Sequence, residues 1–174
     1  MKCSIEEKAI RVKAILFDVD GVLTDGKIHI SENGEEYKSF NTLDGFAIKL
    51  LYKFGIKTGV ISGRRSKALE HRLEELNITY NYLNTEHKLE ALRDFMRSTG
   101  LKSEEIAYIG DDLPDLPVLN ECGLSFAPRN GASDVISRVD QVTENPGGNG
   151  AAREAIELIL KSQGLWSKHL ESLS

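Results

Sequence analysis

The sequence predicts an α/β fold built on a mostly parallel sheet, and three observations carry that expectation. Short apolar runs alternate with amphipathic helical stretches along most of the chain. The apolar runs are nearly continuous, as in strands covered on both faces. Several of them end abruptly in acidic, hydroxyl or glycine residues, at the sheet edge where open α/β folds hold ligands. Right-handed crossovers would then put helices on both faces, giving a Rossmann-like three-layer sandwich.

A chain of 174 residues is long enough for one domain with a substantial core, and nothing in it calls for a second, so residues 1–174 are read as one unit. Net charge is −5 and the basic residues are scattered, which favours neither a nucleic-acid groove nor an anionic membrane. Small soluble partners fit better. Cys3 and Cys122 are too few and too far apart for a disulfide framework or a zinc site. Residues 1–13 are charged throughout, without the apolar stretch of a signal peptide, and no later run approaches a membrane span. The expected compartment is the cytoplasm.

In chain order, AILF at 14–17 opens the first strand and runs into Asp18, Asp20 and Gly21. Residues 27–40 follow as a projecting β-hairpin, with Asn33 and Gly34 supplying positive backbone angles at its turn. An isolated hairpin is marginal in water, so this one should pack on its own domain or on another copy. Helical spacing over 43–54 puts Phe46, Ala47, Leu50, Leu51 and Phe54 on one face, and Gly55 ends the helix. The unit then repeats: strand 56–61, helix 66–76, strand 78–83, helix 88–98, strand 105–109, short helix 113–120, strand 123–127, a turn or two of helix at 132–136, and an edge strand at 139–142. The C-terminal tail, 146–174, begins with a glycine-rich stretch, continues as an amphipathic helix over 151–160, and beyond Gly164 shows no clear pattern, so fraying is expected there.

The strand ends collect a constellation: Asp18 and Asp20, Ser62 and Gly63, Lys88, then Asp111 and Asp112. Side chains at i and i+2 of an extended segment share a side, so Asp18 and Asp20 can serve one centre. Oxygen-only ligands without a histidine or cysteine cluster suit Mg2+. Lys88, the Ser62 hydroxyl and N–H groups around Asp20 and Gly63 would orient a phosphoryl group. Asp18 is then placed to attack phosphorus, and Asp20 to act as acid and base, its pKa raised by the neighbouring carboxylate. Taken singly, Ser62-Gly63 is an ordinary strand-to-helix turn and Lys88 a surface lysine; their order raises the joint reading.

In that order DVDGVLTD, ISGR, Lys88 and GDDLPD resemble the four motifs of the haloacid dehalogenase superfamily of phosphatases. The resemblance implies Asp18 as nucleophile, Asp20 as acid and base, and Ser62 and Lys88 as phosphate ligands. It implies Mg2+ on Asp18, Asp111 and the backbone carbonyl of Asp20, with Asp112 and Asp115 as outer or alternative metal partners. FNTLDG and GGNGAARE extend it over nearly the whole chain to the 3-deoxy-D-manno-octulosonate 8-phosphate phosphatase family, which acts in lipopolysaccharide precursor synthesis. The gaps from Asp20 to Ser62 and from Ser62 to Lys88 leave no room for a separate cap domain. In the resembled family tetramerisation closes the site, with hairpins forming a small barrel and glycine-rich tails reaching a neighbour; here the corresponding stretches are 27–40 and 147–153. Arg64 matches the octulosonate enzymes and would bind the sugar acid's carboxylate, with Arg72 as a further contact. The family usually has a glycine a few residues before its motif lysine, where this chain has Leu83 to His87 without one. A nonulosonate 9-phosphate substrate, a macromolecular phosphate, and a non-catalytic tetramerisation module stay open as alternatives.

Overall fold

The computed structural model describes residues 3–173. Its centre is a six-stranded sheet of β1 (Ala14–Phe17), β4 (Lys57–Ile61), β5 (Tyr80–Tyr82), β6 (Ile106–Ile109), β7 (Leu124–Ala127) and β8 (Gln141–Val142), in the order β5-β4-β1-β6-β7-β8. Every pairing in it is parallel. The chain builds outward from β1 to β4 and β5, then returns to the other side of β1 for β6, β7 and β8. The strand order therefore reverses beside β1, where open parallel sheets bind ligands.

Strand alternation sorts the core into two layers. Ile15 and Phe17 of β1 face one layer with α1 (Ile5–Arg11), α2 (Thr42–Lys53), α3 (Lys67–Glu75) and α7 (Ala151–Ser162). Ala14 and Leu16 face the other, where α4 (Lys88–Thr99), α5 (Leu116–Glu121) and α6 (Ser133–Ile136) supply Leu92, Phe95, Val118 and Val135. With strands buried from both sides, the continuous apolar runs need no alternation. Among the described residues no separate cap domain is inserted between the strands.

The hairpin is β2 (His29–Ile30) paired antiparallel with β3 (Glu36–Tyr37). Its turn differs from the expected pair of positive angles. Gly34 N–H donates to Ser31 O and Ser31 N–H to Glu35 O, while only Gly34, at φ +79, is left-handed. That is the three-residue hairpin loop with a glycine bulge, which asks nothing unusual of Asn33.

Two helices depart from the sequence reading. α1, unassigned there, opens with a capping box in which Ser4 Oγ accepts from Glu7 N–H and Glu7 accepts from Ser4 N–H. α8 (Leu165–Glu171) occupies the tail expected to fray, and its His169 is buried beside Phe46, Phe54 and Trp166. On α2 the core face includes Ile48, whereas Phe46 is half exposed and lies under the Arg153 guanidinium.

The glycine-rich stretch is not a free arm. Gly148 N–H donates to Val22 O at 2.9 Å and Gly147 N–H to Asn130 Oδ1 at 2.9 Å. A β-carbon at Gly147 would lie 1.6 Å from Gly21 O, so glycine alone permits this approach to the loop after β1. Buried Asp44 of α2 then accepts from Gly150 N–H and Arg153 N–H, capping α7. Within the chain, residues 147–153 brace the loop after β1.

Candidate active site

The register brings the strand ends level. Phe17 pairs with Val60 on one side and Ile109 on the other, so Asp18, Ser62 and the turn at Gly110 leave the sheet together. Asp18 N–H donates to Ile109 O at 3.0 Å, continuing the ladder one residue past β1. The chain then wraps tightly: the N–H groups of Val22, Leu23 and Thr24 all converge on Val19 O. Gly21 sits in that wrap at φ +101, and a β-carbon there would lie 2.0 Å from Asp111 Oδ2. Glycine is required for both reasons.

A cleft of about 420 Å³ opens over these ends, lined by Asp18, Asp20, Ser62, Gly63, Arg64, Thr85, Glu86, Lys88, Asp111, Asp112, Pro114 and Asp115. A larger depression of about 760 Å³ lies between α3 and the end of β5 and shares none of these residues. Nine of the ten residues singled out from sequence meet in the first cleft. Arg72 is the exception. It donates to Asn41 O at 3.1 Å and Glu75 Oε2 at 2.7 Å, and its guanidinium covers the Phe40 ring, so it ties α3 to the start of α2.

Lys88 opens α4 and is buried there, with Nζ donating at 2.7 Å to Asp18 Oδ1 and at 2.7 Å to Asp115 Oδ1. Burial opposes its charge, but Asp18 and Asp115 outweigh that and raise its pKa above the usual lysine value. The loop before it turns on Asn84, at φ +56; asparagine tolerates the left-handed conformation and stands in for the absent glycine.

Asp115, expected as an outer or alternative metal partner, has another occupation. Its Oδ1 accepts from Lys88 and from the Tyr108 hydroxyl at 2.5 Å, and its Oδ2 accepts from the N–H groups of Asp111 and Asp112 at 3.1 and 3.2 Å. Fully buried and saturated, it holds Lys88 and the β6 turn. Asp112 caps the following 3-10 turn, accepting from Leu113 N–H at 2.8 Å, and its side chain is exposed.

Asp18, Asp111 and Asp115 each offer a carboxylate oxygen, all within 4.8 Å of one another. Burial, then the charge of Asp115, lifts the Asp18 pKa to about 6 despite Lys88. Burial, then Asp18 and Asp115, lifts Asp111 to about 8. Three carboxylates facing one ammonium leave unbalanced negative charge, and hard oxygen donors at this spacing fit a divalent cation of the magnesium type. With Asp115 saturated, Asp18 and Asp111 are the carboxylates free to hold it.

The Ser62 hydroxyl oxygen accepts from Arg64 N–H at 3.2 Å, leaving its own proton for an anion in the cleft. Arg64 stands at the mouth, Nη2 donating to Glu36 Oε2 at 3.0 Å and Nε 3.9 Å from Asp20 Oδ2. Asp20 does not face the other carboxylates, as the sequence reading supposed. Its Oδ1 accepts from Lys38 Nζ, which the hairpin brings in. Lys38, Glu36 and Tyr108 escaped the sequence reading, since nothing in EEYK distinguishes an inward lysine and a tyrosine within IAYI reads as core.

A haloacid dehalogenase-like hydrolase family model matches residues 83–154. The chain is 42% identical over 160 residues to 3-deoxy-D-manno-octulosonate 8-phosphate phosphatase KdsC of Haemophilus influenzae, covering 92% of this chain and 89% of that one. Among solved structures, the phosphatase of that name from Yersinia pestis superposes with TM-score 0.93 at 38% identity, covering 94% of this chain and 88% of the other. The Moraxella catarrhalis enzyme, solved with magnesium ion, phosphate ion and KDO, gives TM-score 0.95 at 37% identity and 98% coverage of both chains.

Proposed function

The chain belongs to the 3-deoxy-D-manno-octulosonate 8-phosphate phosphatases among the haloacid dehalogenase-like hydrolases, and from that premise we propose that it hydrolyses this sugar acid phosphate to the free octulosonate and inorganic phosphate. The observation that carries the reading is Asp18 at the end of β1, held by Lys88 and faced by Asp111. Magnesium, which accompanies the Moraxella enzyme, would be held by Asp18, Asp111 and the backbone carbonyl of Asp20, and would supply positive charge to the phosphoryl oxygens.

An Asp18 oxygen attacks phosphorus as the bond to the sugar's terminal oxygen breaks, and Asp20 gives that oxygen its proton. Water then attacks the aspartyl phosphate, Asp20 takes the proton back, and Asp18 is released as carboxylate. Burial and Asp115 oppose ionisation of Asp18, and Lys88, which donates to it, favours the carboxylate a nucleophile must be. Lys88, the Ser62 hydroxyl and Gly63 N–H bind the phosphoryl oxygens at the floor of the cleft, where Asp18, Ser62 and Lys88 are themselves buried and such contacts are strong. Arg64 matches a carboxylate in a bidentate way, so it would exchange Glu36 for the substrate's acid group.

Copies of the chain would associate through the hairpin, whose Ile30 and Tyr37 are 67% and 56% exposed. The homotetramer is the assembly this reading favours. The cytoplasm is the compartment that fits; among the described residues no helix is long and apolar enough to cross a membrane, and Cys3 and Cys122 are unpaired.

Trapping tests the nucleophile. Quenching turnover with borohydride should reduce an acyl phosphate at position 18 to homoserine, and Asp18→Asn should lower kcat by about 10³-fold or more while the fold is kept. Label at another carboxylate, or turnover surviving in Asp18→Asn, would move the chemistry elsewhere.

A further inference from the structure

We propose that Lys38, at the foot of the hairpin, is a positioning residue for Asp20: it sets the direction that carboxylate faces and so lets it protonate a poor leaving group. The inference rests on Asp20 being the acid and base of the reaction above.

The hairpin is among the most exposed parts of the molecule, yet the Lys38 side chain is only 1% exposed. A lysine on an exposed ribbon ordinarily trails its ammonium into water. Withdrawing it costs solvation that only close anionic partners offset. Lys38 has two: Asp20 Oδ1, to which it donates, and Glu36 Oε1 at 2.9 Å, an ion pair without hydrogen-bond geometry. Burial opposes the ammonium, but Asp20 and Glu36 outweigh it and keep it charged.

Glu36 links the arrangement to Arg64, whose Nε stands 3.9 Å from the second Asp20 oxygen. Each oxygen of Asp20 therefore faces a cation. The terminal torsion of an aspartate is soft, so without these partners the carboxylate would rotate freely. Arg64 cannot replace Lys38, because 3.9 Å exceeds hydrogen-bond reach and the guanidinium side chain is 46% exposed. In the reaction the proton passes from Asp20 to the departing sugar oxygen as its bond to phosphorus breaks and the Asp18 bond forms. Lys38 keeps its own protons throughout and stabilises the carboxylate left on Asp20.

The test compares kcat/KM, which reports transfer to Asp18, for octulosonate 8-phosphate and for p-nitrophenyl phosphate, whose phenolate leaves without protonation. Lys38→Met should lower the first about tenfold or more and the second by less than about twofold. Glu36→Gln should shift the ratio the same way by less. In an Asp20→Asn background, Lys38→Met should add no further loss. A misfolded fraction lowers both rates equally and cancels in the ratio. Equal loss on both substrates, or a Lys38→Met loss that persists undiminished in Asp20→Asn as a substrate-binding lysine would give, overturns the proposal. If Asp20→Asn itself shows no dependence on the leaving group, the acid assignment fails with it; if only Lys38→Met shows none, the assignment stands and Lys38 is structural.

Discussion

Asp18 and Asp111 hold their protons more tightly in the folded chain than carboxyls do in an unfolded one. Burial and mutual repulsion raise them from 3.8 to about 6 and about 8. The sign of the stability effect follows. Below the ordinary carboxylate range both states are protonated and the two groups cost nothing. As pH rises, the unfolded chain releases these protons first, the native state binds more of them, and stability contributed by the pair is lost up to about pH 8. This is the reverse of a salt-bridged aspartate. With metal chelated, Tm should therefore fall between pH 5 and pH 8; magnesium should flatten the fall, and Asp111→Asn should remove most of it. A rise in Tm over that interval without metal, tracked by calorimetry, would mean the carboxylates are not crowded as the geometry has them.

The hairpin joins two jobs that the chain order keeps apart. Ile28, Ile30 and Tyr37 are exposed on it, Tyr37 on the opposite face from Ile30, while Glu36 and Lys38 at its foot reach Asp20 and Arg64. Ile30→Lys with Tyr37→Ser should convert a tetramer into a 19.3 kDa monomer by light scattering. A native chain that is already monomeric, or a variant that stays tetrameric, contradicts association through the hairpin. The same element marks where the sequence was legible. Its existence was readable from Asn33-Gly34 between two short runs, because turn chemistry is local. The inward turn of Lys38 was not, because it depends on Asp20, eighteen residues earlier. Asp18, Ser62, Lys88 and Asp111 could be collected in advance, since a parallel sheet brings strand ends together whatever its loops do. Asp115 could be placed nearby but not given its work, which requires Tyr108 from the strand before it. Arg72 was misplaced because helical spacing says which face a residue occupies, not what that face meets. Ser4 and Glu7 form the S-x-x-E pattern of a capping box, the local signal that α1 begins there.

At the scale of the whole molecule, the sheet supplies the chemistry at its switch point, and the glycine-rich turn clamps the loop that carries it. Gly147 and Gly148 press on Gly21 and Val22, and Asp44 fixes the start of α7 behind them. Among the described residues the cleft has no cap of its own, and Arg64, held by Glu36 of the hairpin, stands at its mouth. If the cleft serves an eight-carbon acid sugar phosphate, phosphate release with magnesium shows it. Octulosonate 8-phosphate and a nonulosonate 9-phosphate, compared by kcat/KM on one preparation, should differ in favour of the octulosonate by about tenfold or more, the discrimination one extra carbon unit in a fitted site produces. Equal rates, or preference for the nonulosonate, would contradict the account.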